Sequence, residues 1–224
     1  MYTKIITADN TETFLNEKVK ESYHSQTGAV EEALKKYSIP CKIRELAEKA
    51  KITKEKITIL DVCSGLGYNG AMAISEALEQ NSECRIEVIG LEFDPEIIAR
   101  IQDVNPPIPF YQYYKRLTPN HLSFQEGDVT VTIILGDARE ICKKLLPDYF
   151  DAIFFDPFSP KTSPEMWQVD FFKEMYRVMK KTAISATFSC ARIVRENMAK
   201  AYLIYDDGPI VGRRGPGTIA TKWI

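Results

Sequence analysis

Two rhythms of apolar and polar positions alternate through the chain. Short β-branched or aromatic runs at residues 57–62 (ITILDV), 85–91 (RIEVIGL), 129–135 (VTVTIIL), 151–156 (DAIFFD) and 182–188 (TAISATF) each end in a turn signal or a polar segment, the pattern of strands. Between them, apolar residues recur at three and four spacing over 69–78, 95–101, 139–145, 164–180 and 191–201, which predicts helices. Strand and helix in alternation predict an α/β, Rossmann-like fold: a mostly parallel, twisted sheet with helices on both faces. Ligands of such sheets bind beyond the carboxyl ends of the strands, where the strand order switches.

The two ends of the chain break this rhythm. AYLIYDD and GTIATKWI are strand-like runs joined by GPIVGRRGP with no helix between them, so a terminal antiparallel hairpin is expected. Residues 1–55 read as an N-terminal extension packed on a core of residues 56–224, with a small hairpin around Asp9-Asn10 and helices over 28–37 and 41–51. Residues 104–127 (including NPPIPFYQYYKRLTP) are too long for an ordinary connection and read as a functional insertion.

Composition narrows the classes. The 224 residues, 45% hydrophobic and 27% charged, fit one large domain, and no apolar run is long enough to span a bilayer. MYTKIITADNTETF lacks the basic start and apolar stretch of a secretory signal, so a soluble, cytoplasmic protein without a membrane partner is expected. Five scattered cysteines and two histidines form no ligand spacing, which predicts buried thiols and no metal site. The formal charge of -2 exerts no global pull on a polyanion, so an RNA partner would need a local basic patch.

The first strand runs into Asp61-Val62-Cys63-Ser64-Gly65-Leu66-Gly67-Tyr68-Asn69-Gly70, a GxGxxG between strand and helix. Alone it suits a dinucleotide on a helix N-terminus, with Glu92 at the end of the second strand holding ribose hydroxyls. S-adenosylmethionine suits the surroundings better. It is cationic at sulfur and amine and carries no phosphate, so the acid Asp61 beside the glycine turn attracts it. Asp137, in Gly136-Asp137-Ala138 after the third strand, can accept from an adenine amino group. Tyr68, Asn69, Phe93 and Ala138 flank these positions and complete the expected cofactor site with Gly65, Gly67 and Glu92.

Asp156 ends the fourth strand in FFDPFSPK, where the methyl group of such a donor would point. Transfer to an amine needs an unprotonated nitrogen in line with the S–methyl bond, and one carboxylate accepting an N–H hydrogen bond can orient it. Asp156 is the expected catalytic residue. Asp-Pro-Phe resembles the Asp-Pro-Pro-Tyr motif of amino-group methyltransferases, which makes Pro157 and Phe158 acceptor-side candidates, Phe158 by stacking on a planar substrate. Lys161, Arg213 and Arg214 are candidates for gripping phosphates, and Trp167 for shaping the pocket. Tyr111, Tyr113, Tyr114, Lys115 and Arg116 suit either stacking on single-stranded bases or a lid over the donor pocket.

DAIFFDPFSPKTSPEMW at 151–167, with YHSQTGAVEEA at 23–33, ILDVCSGLGYN at 59–69 and GRRGPGTIA at 212–220, resembles the methyltransferase domain of the MnmC-type tRNA-modifying enzymes over nearly the whole chain. The resemblance implies a class I methyltransferase fold, S-adenosyl-L-methionine as cofactor, and tRNA, met at its anticodon region, as partner. It implies N-methylation of the exocyclic amine of 5-aminomethyl(-2-thio)uridine at the wobble position by a stand-alone domain lacking the FAD-dependent oxidase. Cys63 stands where such loops often have a first glycine, and Pro157 where MnmC usually has glycine. Methylation of another amine, an aminopropyl transfer, or an RNA-binding protein that keeps only the fold are the alternatives.

Overall fold

Every residue of Ile57–Val62 (β4) is buried, as expected of a strand covered on both faces. The computed structural model describes residues 1–212 and 214–223. β4 lies at the middle of an eight-stranded sheet with β5 (Ile86–Glu92), β6 (Ser123–Glu126), β7 (Val129–Leu135), β8 (Phe150–Phe155), β9 (Met179–Thr187), β10 (Leu203–Asp207) and β11 (Thr218–Lys222). The order is β10-β11-β9-β8-β4-β5-β7-β6. From β9 to β7 all pairs are parallel, while β6, β11 and β10 are antiparallel. The order therefore reverses between β4 and β8, which places the switch crevice between the glycine turn and Asp156.

Six helices belong to this core and its margins: α2 (Ile43–Thr53), α3 (Tyr68–Gln80), α4 (Pro95–Arg100), α5 (Ala138–Cys142), α6 (Val169–Val178) and α7 (Arg192–Lys200). One apolar layer joins Ile43, Tyr68, Ile74 and Ile97 to one side of the sheet. The other packs Phe155 against Phe172 and Met175 of α6 and Met198 of α7. The predicted helix over 164–180 divides in two, because Gln168 is extended (φ -87°, ψ 156°) between a 3-10 turn, Pro164–Trp167, and α6.

The N-terminal segment holds more order than a hairpin. β1 (Tyr2–Ile6), β2 (Glu12–Asn16) and β3 (Glu21–Ser22) form their own antiparallel sheet. The helix expected over 28–37 is one short α turn, α1 (Ala29–Glu32), which continues as a π turn, Ala33–Ser38, with Ile39 N–H bonded to the Leu34 carbonyl at 3.0 Å. Apolar periodicity does not distinguish a π turn from an α turn, since the extra residue only widens the same buried face.

The insertion is a brace behind the glycine turn. Tyr111 and Tyr114, on a 3-10 turn (Tyr111–Arg116), are buried and stacked at 6.1 Å, and the Tyr111 hydroxyl donates to the Leu66 carbonyl at 2.8 Å. Their rings are thus spent inside the protein and offer no stacking platform or pocket lid. A β-carbon on Gly67 (φ +78°) would lie 2.1 Å from Tyr114 Cδ1, and one on Gly70 1.8 Å from its hydroxyl oxygen. Two glycines that read as ligand-approach positions make room for a protein ring. The Tyr114 hydroxyl is itself buried without a partner. Gly70→Ala is therefore expected to destabilise the protein by about 2 kcal/mol, and by clearly less in a Tyr114→Phe background, in urea unfolding.

Candidate functional site

A cavity of about 840 Å³ opens at the carboxyl ends of the parallel strands. Of the sequence-predicted cofactor residues, Gly65, Asn69, Glu92, Phe93, Asp137 and Ala138 lie in its wall. Asp156, Pro157 and Phe158 line it as well. Cys63, the first residue after β4, adopts φ +63°, the left-handed conformation that a glycine takes without strain. Burial holds the Cys63 thiol well above its ordinary pKa.

Glu92, buried at the end of β5, ties the glycine turn to its own strand. It accepts from Gly65 N–H at 2.9 Å, Phe93 N–H at 2.7 Å and Asp94 N–H at 2.9 Å. Burial raises its pKa, against the pull of those N–H groups. Asp61 is fully buried behind the turn, and neither of its oxygens completes a hydrogen bond, although the Gly70 N–H and the Asn69 amide are near enough to favour its charge. Burial, then the neighbouring Asp156, pushes the Asp61 pKa well up. The Ser64 hydroxyl and Asn69 Oδ1 beside it are also buried without partners. Asp137 caps α5 through Arg139 N–H at 2.9 Å and is gripped by the Arg139 guanidinium at 2.6 Å, which lowers its pKa.

Asp156 is wrapped by protein yet keeps part of its surface open to the cavity. One oxygen accepts from the Tyr37 hydroxyl, the other from Asn69 Nδ2 at 3.0 Å. Burial, and next the charge of Glu32, push its pKa up to about 7 while the Tyr37 and Asn69 hydrogen bonds pull it down. Tyr37, Glu32 and Lys36 come from the π turn and its approach; nothing in the sequence reading singled them out. Glu32 and Lys36 form a buried ion pair in the cavity wall.

The loop after β8 is held from two sides. Glu21 of β3 accepts from Ser159 N–H at 2.9 Å and from the hydroxyls of Ser159 and Thr162. From below, the Trp167 indole N–H donates to the Phe158 carbonyl at 2.9 Å. Phe158 meets the Tyr23 ring edge-on at 5.2 Å across the cavity.

Six expected site residues among those described lie outside the cavity wall, Asp61 behind the glycine turn among them. Trp167 is buried edge-on against Phe155 at 4.9 Å, so it supports the loop without reaching the cavity. Tyr68 is fully buried, stacked on His24 at 4.6 Å with its hydroxyl on the Glu12 carbonyl, so it joins the N-terminal sheet to α3. Gly67 faces Tyr114. Lys161 and Arg214 are exposed, outside the wall formed by the described residues. Arg213 lies outside the described residues. Among those residues no cluster of three or more His, Cys, Asp or Glu side chains is arranged for a metal ion, and no helix is long and apolar enough to cross a membrane.

The family model of the S-adenosyl-L-methionine-dependent methyltransferases matches residues 109–223. An uncharacterized protein of Methanocaldococcus jannaschii is 28% identical over 222 residues, 96% of this chain and 58% of its own length. The tRNA 5-methylaminomethyl-2-thiouridine biosynthesis bifunctional protein MnmC of Leptospira borgpetersenii is 29% identical over 167 residues, 70% of this chain and 25% of its own length. This chain therefore spans less than two thirds of either curated relative. The crystal structure of MnmC2 from Aquifex aeolicus superposes with a TM-score of 0.87 at 30% identity, covering 99% of this chain and 70% of that one.

Proposed function

The chain belongs to the S-adenosyl-L-methionine-dependent methyltransferase family, and on that premise we propose that it methylates the exocyclic amine of 5-aminomethyl(-2-thio)uridine at the wobble position of tRNA. The observation that carries the reading is Asp156, held by Tyr37 and Asn69 at the end of β8 and open to the same cavity as Glu92 and the glycine turn. The similar MnmC of Leptospira borgpetersenii, a tRNA 5-methylaminomethyl-2-thiouridine biosynthesis protein, supports a methylaminomethyl product, and the aminomethyl precursor is that product less one methyl group.

The residues present fit the cofactor. Acids at the ends of β4 and β5 complement a donor positive at sulfur and amine, and the buried oxygens of Asp61 lack the partners that a cationic group would bring. Gly65, Asn69, Glu92, Asp137 and Ala138, which line the cavity, would hold it, with Asp61 buried behind the turn. Once bound, it supplies an electrophilic methyl carbon. Asp156 then accepts an N–H hydrogen bond from the amine, aligns its lone pair, and takes the proton that nitrogen releases as the N–C bond forms. Its raised pKa leaves it able both to take that proton and to return it to water near neutral pH. Tyr37 and Asn69 fix the carboxylate plane.

The test incubates the protein with labelled methyl donor and total tRNA lacking wobble methylation, followed by digestion and nucleoside identification. Label in methylaminomethyluridine is expected; label only in small amines or in no acceptor rejects the assignment.

A further inference from the structure

We propose that Lys36 reads the C4 carbonyl of the base whose amine Asp156 holds, so that the Glu32–Lys36 ion pair is a specificity device for uridine against cytidine. The inference rests on the wobble-uridine reading. It adds a residue and a discrimination to it.

The π turn makes this possible. The passage from α1 into the π turn sets Glu32 against Lys36, while the Tyr37 hydroxyl reaches Asp156 after β8. Lys36 and Glu32 are only 3% and 6% exposed, and both border the cavity. The Ser25 N–H fixes Glu32 at 2.7 Å. An ammonium has three N–H donors, and Glu32 takes one. Among the described residues no other acceptor engages Lys36. Burying an ion pair is expensive and often no more stabilising than an apolar pair of the same volume, so spare donors in a cavity wall call for an occupant.

The substrate's chemistry supplies that occupant. The aminomethyl group is on C5, and the neighbouring ring atom C4 carries the carbonyl oxygen. With the amine on Asp156, this oxygen turns to the neighbouring wall of the same cavity, which Lys36 and Glu32 form. In cytidine the same position bears an amino group, which would set donor against donor and leave the spare N–H groups of the Lys36 ammonium unsatisfied.

The experiment compares two anticodon stem-loop oligonucleotides, one with 5-aminomethyluridine and one with 5-aminomethylcytidine, by kcat/KM. The unaltered protein is expected to prefer the uridine by about 100-fold or more. In Lys36→Met combined with Glu32→Gln, which removes both charges at nearly constant volume, the preference narrows to within about 10-fold. S-adenosylhomocysteine affinity stays within about two-fold, since the donor residues are untouched. Lys36→Arg keeps the ion pair but displaces the donors, and gives the same narrowing if the double variant does not fold. A preference that survives in these variants while the uridine is methylated removes the role of Lys36 and leaves the wobble reading standing. Methylation of small amines but of neither oligonucleotide removes both.

Discussion

Replacing Asp156 by asparagine is expected to lower kcat by about 100- to 10,000-fold while S-adenosylmethionine affinity stays within about two-fold. The exchange is nearly isosteric, and Asn69 can turn its amide, whose Oδ1 is buried without a partner, to meet the new NH2 group. What is lost is the charge that receives the proton. The active form is the carboxylate, so the rate should climb as pH rises through about 7 and level off above it. Stability moves the other way. The folded-state pKa lies above the unfolded value of 3.8, so this group's stabilising contribution is full below that value and is lost as pH rises through about 7. Asp156→Asn should therefore raise Tm, by about 2 °C or more at pH 8 and by less at pH 5, read in parallel thermal melts. Equal Tm differences at the two pH values would remove burial as the cause of the raised pKa.

Glu92→Ala should weaken donor binding by about 100-fold or more, measured by calorimetric titration. Two losses combine in that figure. On the proposed donor site the ribose hydroxyls would lose a charged acceptor, and the N–H groups of Gly65, Phe93 and Asp94 lose theirs, so the glycine turn is no longer tied to β5. Glu92→Gln keeps one carbonyl oxygen and should fall between the parent and Glu92→Ala. Donor affinity unchanged in Glu92→Ala would mean that the acid serves the turn alone.

The strand-end acids were legible because their positions follow from periodicity. Once the β-branched runs and the helical spacing imply a parallel sheet, Glu92 and Asp156 fall at the carboxyl ends of its strands. The parallel pairing of β4, β5, β7, β8 and β9 also follows from the alternation. Residues whose roles depend on the direction of a ring were not legible. Tyr68 and Trp167 flank motifs and read as ligand contacts, yet both turn into packed layers, since an aromatic residue beside a motif looks the same whichever way its ring points. Gly67 and Gly70 likewise read as room for a ligand, while the ring they admit is Tyr114, more than forty residues further along the chain. Tyr37 lies 119 positions from its partner Asp156 and reaches it from a π turn that apolar spacing does not encode. β3 escaped notice because it has two residues, and β6 because its SFQE sequence is polar and pairs only with the edge of β7.

The clamp from Glu21 to Ser159 and Thr162 has a consequence for how such an enzyme can diverge. Asp137 and Asp156 fall within the family-matched half of the chain, residues 109–223, whereas Glu21, Tyr23, Glu32, Lys36 and Tyr37, which hold or face the acceptor loop, belong to the first forty residues. Mutation can thus remodel the acceptor side of the cavity in a short stretch of gene while the stretch encoding the transfer acid stays fixed. Lineages that exchange one nucleophile for another would carry the record of that exchange near their amino termini.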